Sequence, residues 1–563
     1  MRNLYKQFHW LLLPVVLSSC TARHYRKSAD KEVYKIIQEK QKTALGETNA
    51  FTIDTPYSSR KPDEIKSQEI IADRTLEAKV TLSLPDALRT ALENNRQFKL
   101  RKEQLYLSAL TLTRDRFAYV PQFFANTTVS ADRDGIGAAN RAGLGTLLKT
   151  GGKVSLDLAN DLLHFYTGRG GDSALSTIKL SLSQPLLRGA GAKIAAENLT
   201  QAERDVIYEI RGFSYFQDTF AFDVVTTYLR LVQQQDTVKN QYENFQSRVG
   251  LRERAVALSI DRLAPFQADL AAQEELTARN SYILAVERYR TTLDQFKITL
   301  GLPAGYDIRL DESVLKELEG VGLLPVPLTD EQSFRLSLER RPDFLNEIDI
   351  FEDSKRKIMV AADTLKPDLL LFANVASSPQ ERPDYATFNF HDYTLNGGIK
   401  LDLPLNRKLE RNSYRATIIS FERQLRALSL FLDDLKNDLR GDLRTLEQSR
   451  QSYDIQNRAK QLADRRVENS ELSLQAGKVQ VRDVVDAQNA RVQAYNAATA
   501  ALIDYHLTRM RLLLDLGVLK TVKEKFWLDY GDVPKAGVAT TPAVPASNVQ
   551  LITPEELFRN EKR

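Results

Sequence analysis

The sequence predicts a mostly helical chain that also lends strands to a membrane β-barrel shared between copies, with long coiled-coil helices continuing from that barrel. Three observations predict this class. Two proline-free stretches, Ala190 to Ala264 and Leu405 to Val533, carry apolar residues at heptad spacing. Short segments before them alternate apolar and polar residues. From about Ser83 to Gly517 the chain repeats the same landmarks in the same order.

The helices follow from the period. From Phe421 the apolar residues fall at Leu425, Leu428, Leu432, Leu435, Leu439, Leu443 and Leu446, steps of three and four that average near the 3.5 of a coiled coil. A second stripe runs Val206, Ile210, Phe213, Phe220, Val224 and Leu231, and a third Val481, Val484, Gln488, Val492, Tyr495, Leu502, Met510 and Leu513. A helix of about 55 residues would be roughly 80 Å long. A compact domain has no use for such a rod, which bridges a gap or builds a tube.

The strands follow from alternation. Ile178, Leu180 and Leu182 face one way, and Thr177, Lys179, Ser181 and Ser183 the other. After Pro121, Phe123, Ala125, Thr127 and Val129 oppose Gln122, Asn126, Thr128 and Ser130, and in Ile399 to Leu403 the polar positions are Lys400 and Asp402. The pattern suits a wall with lipid outside and water inside. It also suits a sheet with one face on a soluble core. The amino terminus and the rod-like helices favour the barrel. Beyond the amino terminus no run of 18 apolar residues occurs, which leaves a closed barrel as the route across a bilayer. Strands at about 120–187 and about 367–405 make four per chain. Four cannot enclose a solvated lumen, so an oligomer must share the barrel.

The repeat has internal dimensions. Pro185 to Pro404 is 219 positions, Ser259 to Gly477 is 218 and Gly301 to Gly517 is 216, but Pro121 to Pro367 is 246. The first half therefore carries an insertion of about 27 residues, over roughly Gly143 to Gly171 and rich in Gly. External loop, plug and extra strand length are all open readings of it.

The first residues form a targeting segment: Arg2 and Lys6, an apolar core from Trp10 to Leu17, then Leu17-Ser18-Ser19-Cys20. This resembles a bacterial lipobox, in which the Cys is acylated and becomes the new amino terminus. Cys20 is the single Cys, so it has no internal disulfide partner. Several acyl chains on one residue anchor stably in lipid. Thr21 replaces the Asp that often marks inner-membrane retention.

Composition excludes several classes. With 78 basic and 74 acidic residues there is no concentrated basic field for nucleic acid. His9, His24, His164, His391 and His506 are scattered without metal spacing, and no nucleotide loop or nucleophile motif occurs. No cofactor, metal or catalytic step is expected.

At this point the order of motifs resembles the TolC-type outer-membrane efflux family. The carriers are Leu84-Pro85-Asp86-Ala87-Leu88 with Ala91-Leu92-Glu93-Asn94-Asn95, Pro121 opening a strand, Ser183-Gln184-Pro185-Leu186-Leu187-Arg188-Gly189 before a helix, and Arg341-Pro342-Asp343 opening the second half. The most specific is the segment Ala476 to Gln488, which is similar to the family's second helical-tip motif. The resemblance implies a homotrimer with four strands per chain in one twelve-stranded barrel. It also implies two helical hairpins per chain in a periplasmic tunnel that meets a periplasmic adaptor protein and an inner-membrane transporter. The expected domains are a leader at 1–19, a periplasmic segment at 20–80 after the anchor in outer-membrane lipid, repeats at 81–303 and 328–518, and a flexible tail at 519–563. Their helical hairpins fall at about 190–301 and 408–517.

The same resemblance singles out Asp483 and Asp486, three apart on one helix face, as a periplasmic gate. Three copies would ring an opening with six carboxylates. Against this, Asp is favoured in the first turns of any helix. Leu258, Ser259 and Ile260 in the first tip, and Leu474, Gly477 and Val479 in the second, are the candidate adaptor contacts. The first tip departs from the family pattern, with Ser259 where Gly is common and Pro265 at the position of Asp483. Lys179, Lys400 and Asp402 are candidate lumen charges. The competing reading is a structural periplasmic coiled-coil lipoprotein without a pore.

Overall fold

Helices dominate the computed structural model, which describes residues 22–48, 50–131, 133, 135–165, 173–260, 262–378, 391–521 and 525–529. The leader over 1–19, the candidate lipidation site Cys20 and the tail beyond 529 lie outside the described residues. In chain order the elements are α1 (Ala22–Leu45), α2 (Ser67–Arg74), β1 (Lys79–Leu82), α3 (Leu84–Asn94), α4 (Arg96–Phe117), β2 (Gln122–Ala131), β3 (Gly135–Leu147), β4 (Lys153–Phe165) and β5 (Ser173–Pro185). There follow α5 (Ala192–Ala195), α6 (Glu197–Leu258), α7 (Pro265–Leu300), β6 (Asp307–Leu310), α8 (Ser313–Val321), α9 (Asp330–Arg340), α10 (Pro342–Asp363), β7 (Asp368–Ser377), β8 (Tyr393–Asp402), α11 (Lys408–Gln475) and α12 (Val481–Asp515). With 62 and 68 residues, α6 and α11 would each extend about 90–100 Å. No described helix is long and apolar enough to cross a membrane.

The chain divides into two compact units. One comprises Met1–Ile53, Arg101–Phe213 and Asn346–Phe431, the other Asp54–Leu100, Ser214–Leu345 and Leu432–Arg563.

The first unit holds an antiparallel sheet in the order β2-β3-β4-β5-β7-β8. Among the described residues this sheet has six strands, not the expected four. The additional hairpin, β3 and β4, takes up most of the Gly-rich insertion, so that segment is strand. Its composition hides this. Gly135, Gly137, Ala138, Ala139, Ala142, Gly143 and Gly145 have weak strand preference by themselves. Pairing on both sides holds β3 extended, and the Phe124 ring of β2 covers Gly143. A Cβ there would come within 2.8 Å of that ring and 2.6 Å of the Leu156 carbonyl. Phe372 of β7 covers Gly398 of β8 in the same way.

In the same unit, α6 and α10 are joined through buried charge. The Asp353 carboxylate, 1% exposed, accepts from Arg356 Nη1 at 2.5 Å and from the Tyr208 hydroxyl at 2.6 Å, and pairs with Arg204 Nε at 2.5 Å. Arg211 pairs with Asp349 at 2.6 Å. Each buried carboxylate is thus matched, the condition under which buried charge is tolerated. The segment that begins at Ala22 is helical: α1 buries Val33, Ile36 and Ile37, and Asp30 accepts from the Tyr106 hydroxyl at 2.8 Å.

The second unit pairs β1 with β6 in parallel, from Lys79↔Asp307 to Leu82↔Leu310. The buried Tyr228 of α6 binds this pair, its hydroxyl donating to the Leu82 carbonyl at 3.0 Å and accepting from the Asp311 N–H at 3.2 Å. Residues 519–521 and 525–529, placed in the expected flexible tail, are packed. Leu519, Phe526 and Trp527 are buried, and Arg509 donates to the carbonyls of Trp527 at 2.5 Å and Asp529 at 2.7 Å. An apolar pair and a buried guanidinium bonded to two backbone carbonyls hold that stretch in place. Burial pushes Asp218, which accepts from Thr521 Oγ1 at 2.6 Å, up to about 6. Burial together with the nearby Asp515 pushes Asp442 up to about 7.

Candidate functional site

Register sorts every residue of the sheet onto one of two faces. Phe123 opposes Leu144, Leu144 opposes Leu156, Leu156 opposes Leu180, Leu180 opposes Val375 and Val375 opposes Leu395. This face is apolar across all six strands, and it is exposed: Phe123 at 81%, Leu180 at 46%, Leu395 at 67% and Ile399 at 65%. So wide an apolar surface is foreign to a soluble monomer. The strands have ten or thirteen residues each, and about 9–11 tilted residues suffice to span a bilayer.

The opposite face is polar. Lys179, Lys400 and Asp402 all lie on it, together with Arg141, Lys153, Asp157, Asp161 and Asp368. Four acidic and four basic side chains leave no dominant sign, and Lys179 stands directly opposite Asp157. Among the described residues neither the outer edge of β2 nor that of β8 has a partner in the sheet.

In the second unit the ends of four helices meet. Leu251 and Ala255 of α6, Ala271 of α7, Leu474 of α11, and Val481, Val484 and Val485 of α12 form one apolar cluster, with Leu263 and Val479 against it. Leu474 is therefore turned inward at 4% exposed, and Val479 is half-buried. Both join the tips together. Leu258 and Ser259 are half-buried, and Ser259 Oγ donates to the Val256 carbonyl at 2.7 Å. Ile260 stands out at 86% exposed. Gly477 turns the chain at φ +67°, with Lys478 N–H donating to the Ser473 carbonyl and Gly477 N–H to the Leu474 carbonyl, both at 2.9 Å. This is a Schellman-type helix end, which glycine adopts without strain.

Asp483 and Asp486 are both exposed on the first turns of α12. They differ in their local work. Asp483 Oδ2 accepts from the Gln480 N–H at 2.9 Å, closing a capping box with Gln480. Gln267 of α7 also accepts from the Val481 N–H at 3.2 Å. Among the described residues Asp486 makes no such bond, but its charge acts on Arg248, which sequence reasoning missed. This α6 side chain is 1% exposed, and its Nη2 donates to the Val485 carbonyl at 2.9 Å and to Asn489 Oδ1 at 2.8 Å. Burial pulls its pKa down, while the charges of Glu274 and Asp486 push it back up. A buried arginine inside a coiled-coil stripe leaves no trace in apolar spacing. No group of three or more His, Cys, Asp or Glu suited to a metal occurs among the described residues.

An antiparallel sheet with one apolar exposed face and two hairpins of very long helices are elements of the fold of the TolC-type outer-membrane channels. Among solved structures the chain is similar to CusC, at 11% identity and TM-score 0.57 over 77% of this chain and 92% of that one. It is similar to the Campylobacter jejuni CmeC outer membrane channel, at 15% identity and TM-score 0.57 over 77% and 85%. It is similar also to the open state of the Neisseria gonorrhoeae MtrE outer membrane channel, at 15% identity and TM-score 0.55 over 77% and 88%. No protein-family model and no curated protein matches the sequence.

Proposed function

We propose that the chain is the outer-membrane channel of a tripartite efflux or type I secretion system, a passive duct without catalysis. Three copies close the barrel, Cys20 carries the lipid anchor, and the helical hairpins line a periplasmic tunnel. The observation that carries the reading is the sheet: apolar and exposed on one face, polar on the other, and unpaired at both edges. Lipid covers the first face, water the second, and neighbouring copies the edges, since a bilayer offers backbone groups no other partner. The tips at Ile260 and Gly477 dock a periplasmic adaptor, which links the duct to an inner-membrane transporter. Asp483 and Asp486 ring the closed end, where the cations that their charge attracts bridge the copies and hold the constriction shut. A coiled-coil lipoprotein without a pore leaves the apolar face without a covering.

The test is reconstitution of the purified trimer in a planar bilayer. Ion conductance is expected, low at rest and raised in the doubly neutralised Asp483→Asn, Asp486→Asn protein. A folded trimer that conducts in neither form refutes the proposal.

A further inference from the structure

We propose that the β3–β4 hairpin widens the shared barrel from twelve strands to eighteen, making its external mouth an exit for bulky hydrated polymers rather than for small molecules alone. The inference rests on the channel reading above.

The hairpin is part of the wall. β3 pairs with β2 from Gln122↔Gly145 to Ala131↔Ile136, and β4 pairs with β5 from Lys153↔Ser183 to Leu163↔Ser173. A plug or an external loop would lack these ladders. The turn between the two strands is tied to its surroundings: the Thr150 carbonyl accepts from the Gly191 N–H and from Gln184 Nε2, both at 3.1 Å. Each added strand has thirteen residues, enough to cross the apolar layer. Each also keeps the two-faced pattern of its neighbours, with Leu144, Leu156 and Leu158 on the apolar side.

The added strands enlarge the lumen without filling it. On the polar face β3 presents Gly135, Gly137, Ala139, Gly143 and Gly145, with long side chains at Arg141 and Leu147 and the Phe124 ring of β2 over Gly143. Parity also permits closure. Six alternating strands leave β2 and β8 running in opposite directions, so the seam between copies is antiparallel like every other junction in the sheet. With strands about 4.8 Å apart and tilted about 40°, twelve give a backbone diameter of roughly 24 Å and eighteen roughly 36 Å.

The experiment compares two forms of the full chain bearing Asn374→Cys, on the polar face of β7. One is otherwise intact; in the other, residues 132–173 are replaced by an Asn-Gly turn, which sets Ala131 opposite Ala174 on the apolar face and leaves four strands. Whole cells are labelled from outside with maleimide-linked polyethylene glycols of graded size, against the intact chain without the added Cys as background. The intact form is expected to admit polymers about 1.5-fold larger in radius, and equal cut-offs overturn the inference. Electron cryo-microscopy of the intact protein in nanodiscs gives an answer even where the shortened form does not assemble. An eighteen-stranded trimer supports the inference. A trimer with a twelve-stranded wall overturns it and leaves the channel reading standing, whereas absence of any barrel overturns both.

Discussion

Replacing His506 by leucine should remove an acid-sensitive element from the helical unit. His506 is wholly buried on α12, and neither ring nitrogen has a hydrogen-bond partner among the described residues. Burial first, and the charge of Arg509 second, pull its pKa from 6.5 down to about 4. As pH falls through 6.5 the unfolded chain takes up a proton that the folded chain refuses until about 4. The contribution is therefore fully present above pH 6.5 and is lost on acidification. At about 1.4 kcal/mol per pH unit the interval amounts to about 3 kcal/mol. His506→Leu deletes the titration and two unpaired polar atoms. It is expected to be neutral or stabilising at pH 8, and to retain about 3 kcal/mol more stability than the parent near pH 4. Asp218 works against this trend. Its carboxyl is raised from 3.8 to about 6, so its contribution is present at low pH and is lost as pH rises through about 6. The parent curve is consequently flatter than either group alone would make it, and Asp218→Asn should steepen its acid limb. Urea midpoints by circular dichroism in detergent, at steps from pH 4 to 8, read the difference. Parallel curves for the parent and His506→Leu would refute the reasoning.

Three further outcomes are expected. Gly143→Ala should destabilise the sheet by about 1–3 kcal/mol through overpacking, while Gly145→Ala on the same face, whose nearest neighbour to a Cβ is 3.9 Å away, should be tolerated; heat-modifiable migration on gels compares them. Asp483→Ala loses the cap bond to Gln480, worth about 1 kcal/mol, whereas Asp483→Asn keeps an acceptor there. A conductance rise in both variants reports charge at the gate, and a change in Asp483→Ala alone reports a loosened tip. Asp442→Asn should raise the urea midpoint above pH 7 and leave it unchanged near pH 4, because the buried carboxyl, raised to about 7, costs stability as pH rises toward that value.

Some elements were legible because one force dominates them. The leucines from Leu425 to Leu446 keep a coiled-coil period along α11, and Ile178, Leu180 and Leu182 alternate cleanly along β5. β3 was not legible, since its glycines and alanines carry no signal until Phe124 and the flanking ladders are in place. β4 was missed with it, although Val154, Leu156 and Leu158 alternate with Ser155 and Asp157. At the tips, spacing identified the turn at Gly477 but could not say that Leu474 points inward and Ile260 outward, because that depends on four helices meeting. Arg248 shows the same limit: its partners lie more than 230 positions away, at Val485 and Asn489.

Oxidative cross-linking across the seam tests the central claim most directly. Val129→Cys on β2, combined in turn with Leu395→Cys, Gly397→Cys, Ile399→Cys or Leu401→Cys on β8, places thiols on the same face of the two unpaired edges. A shared barrel predicts that at least one pairing links copies into dimers and closed trimers on denaturing gels, while Val129→Cys alone does not. Folded protein that stays monomeric in every pairing contradicts the account.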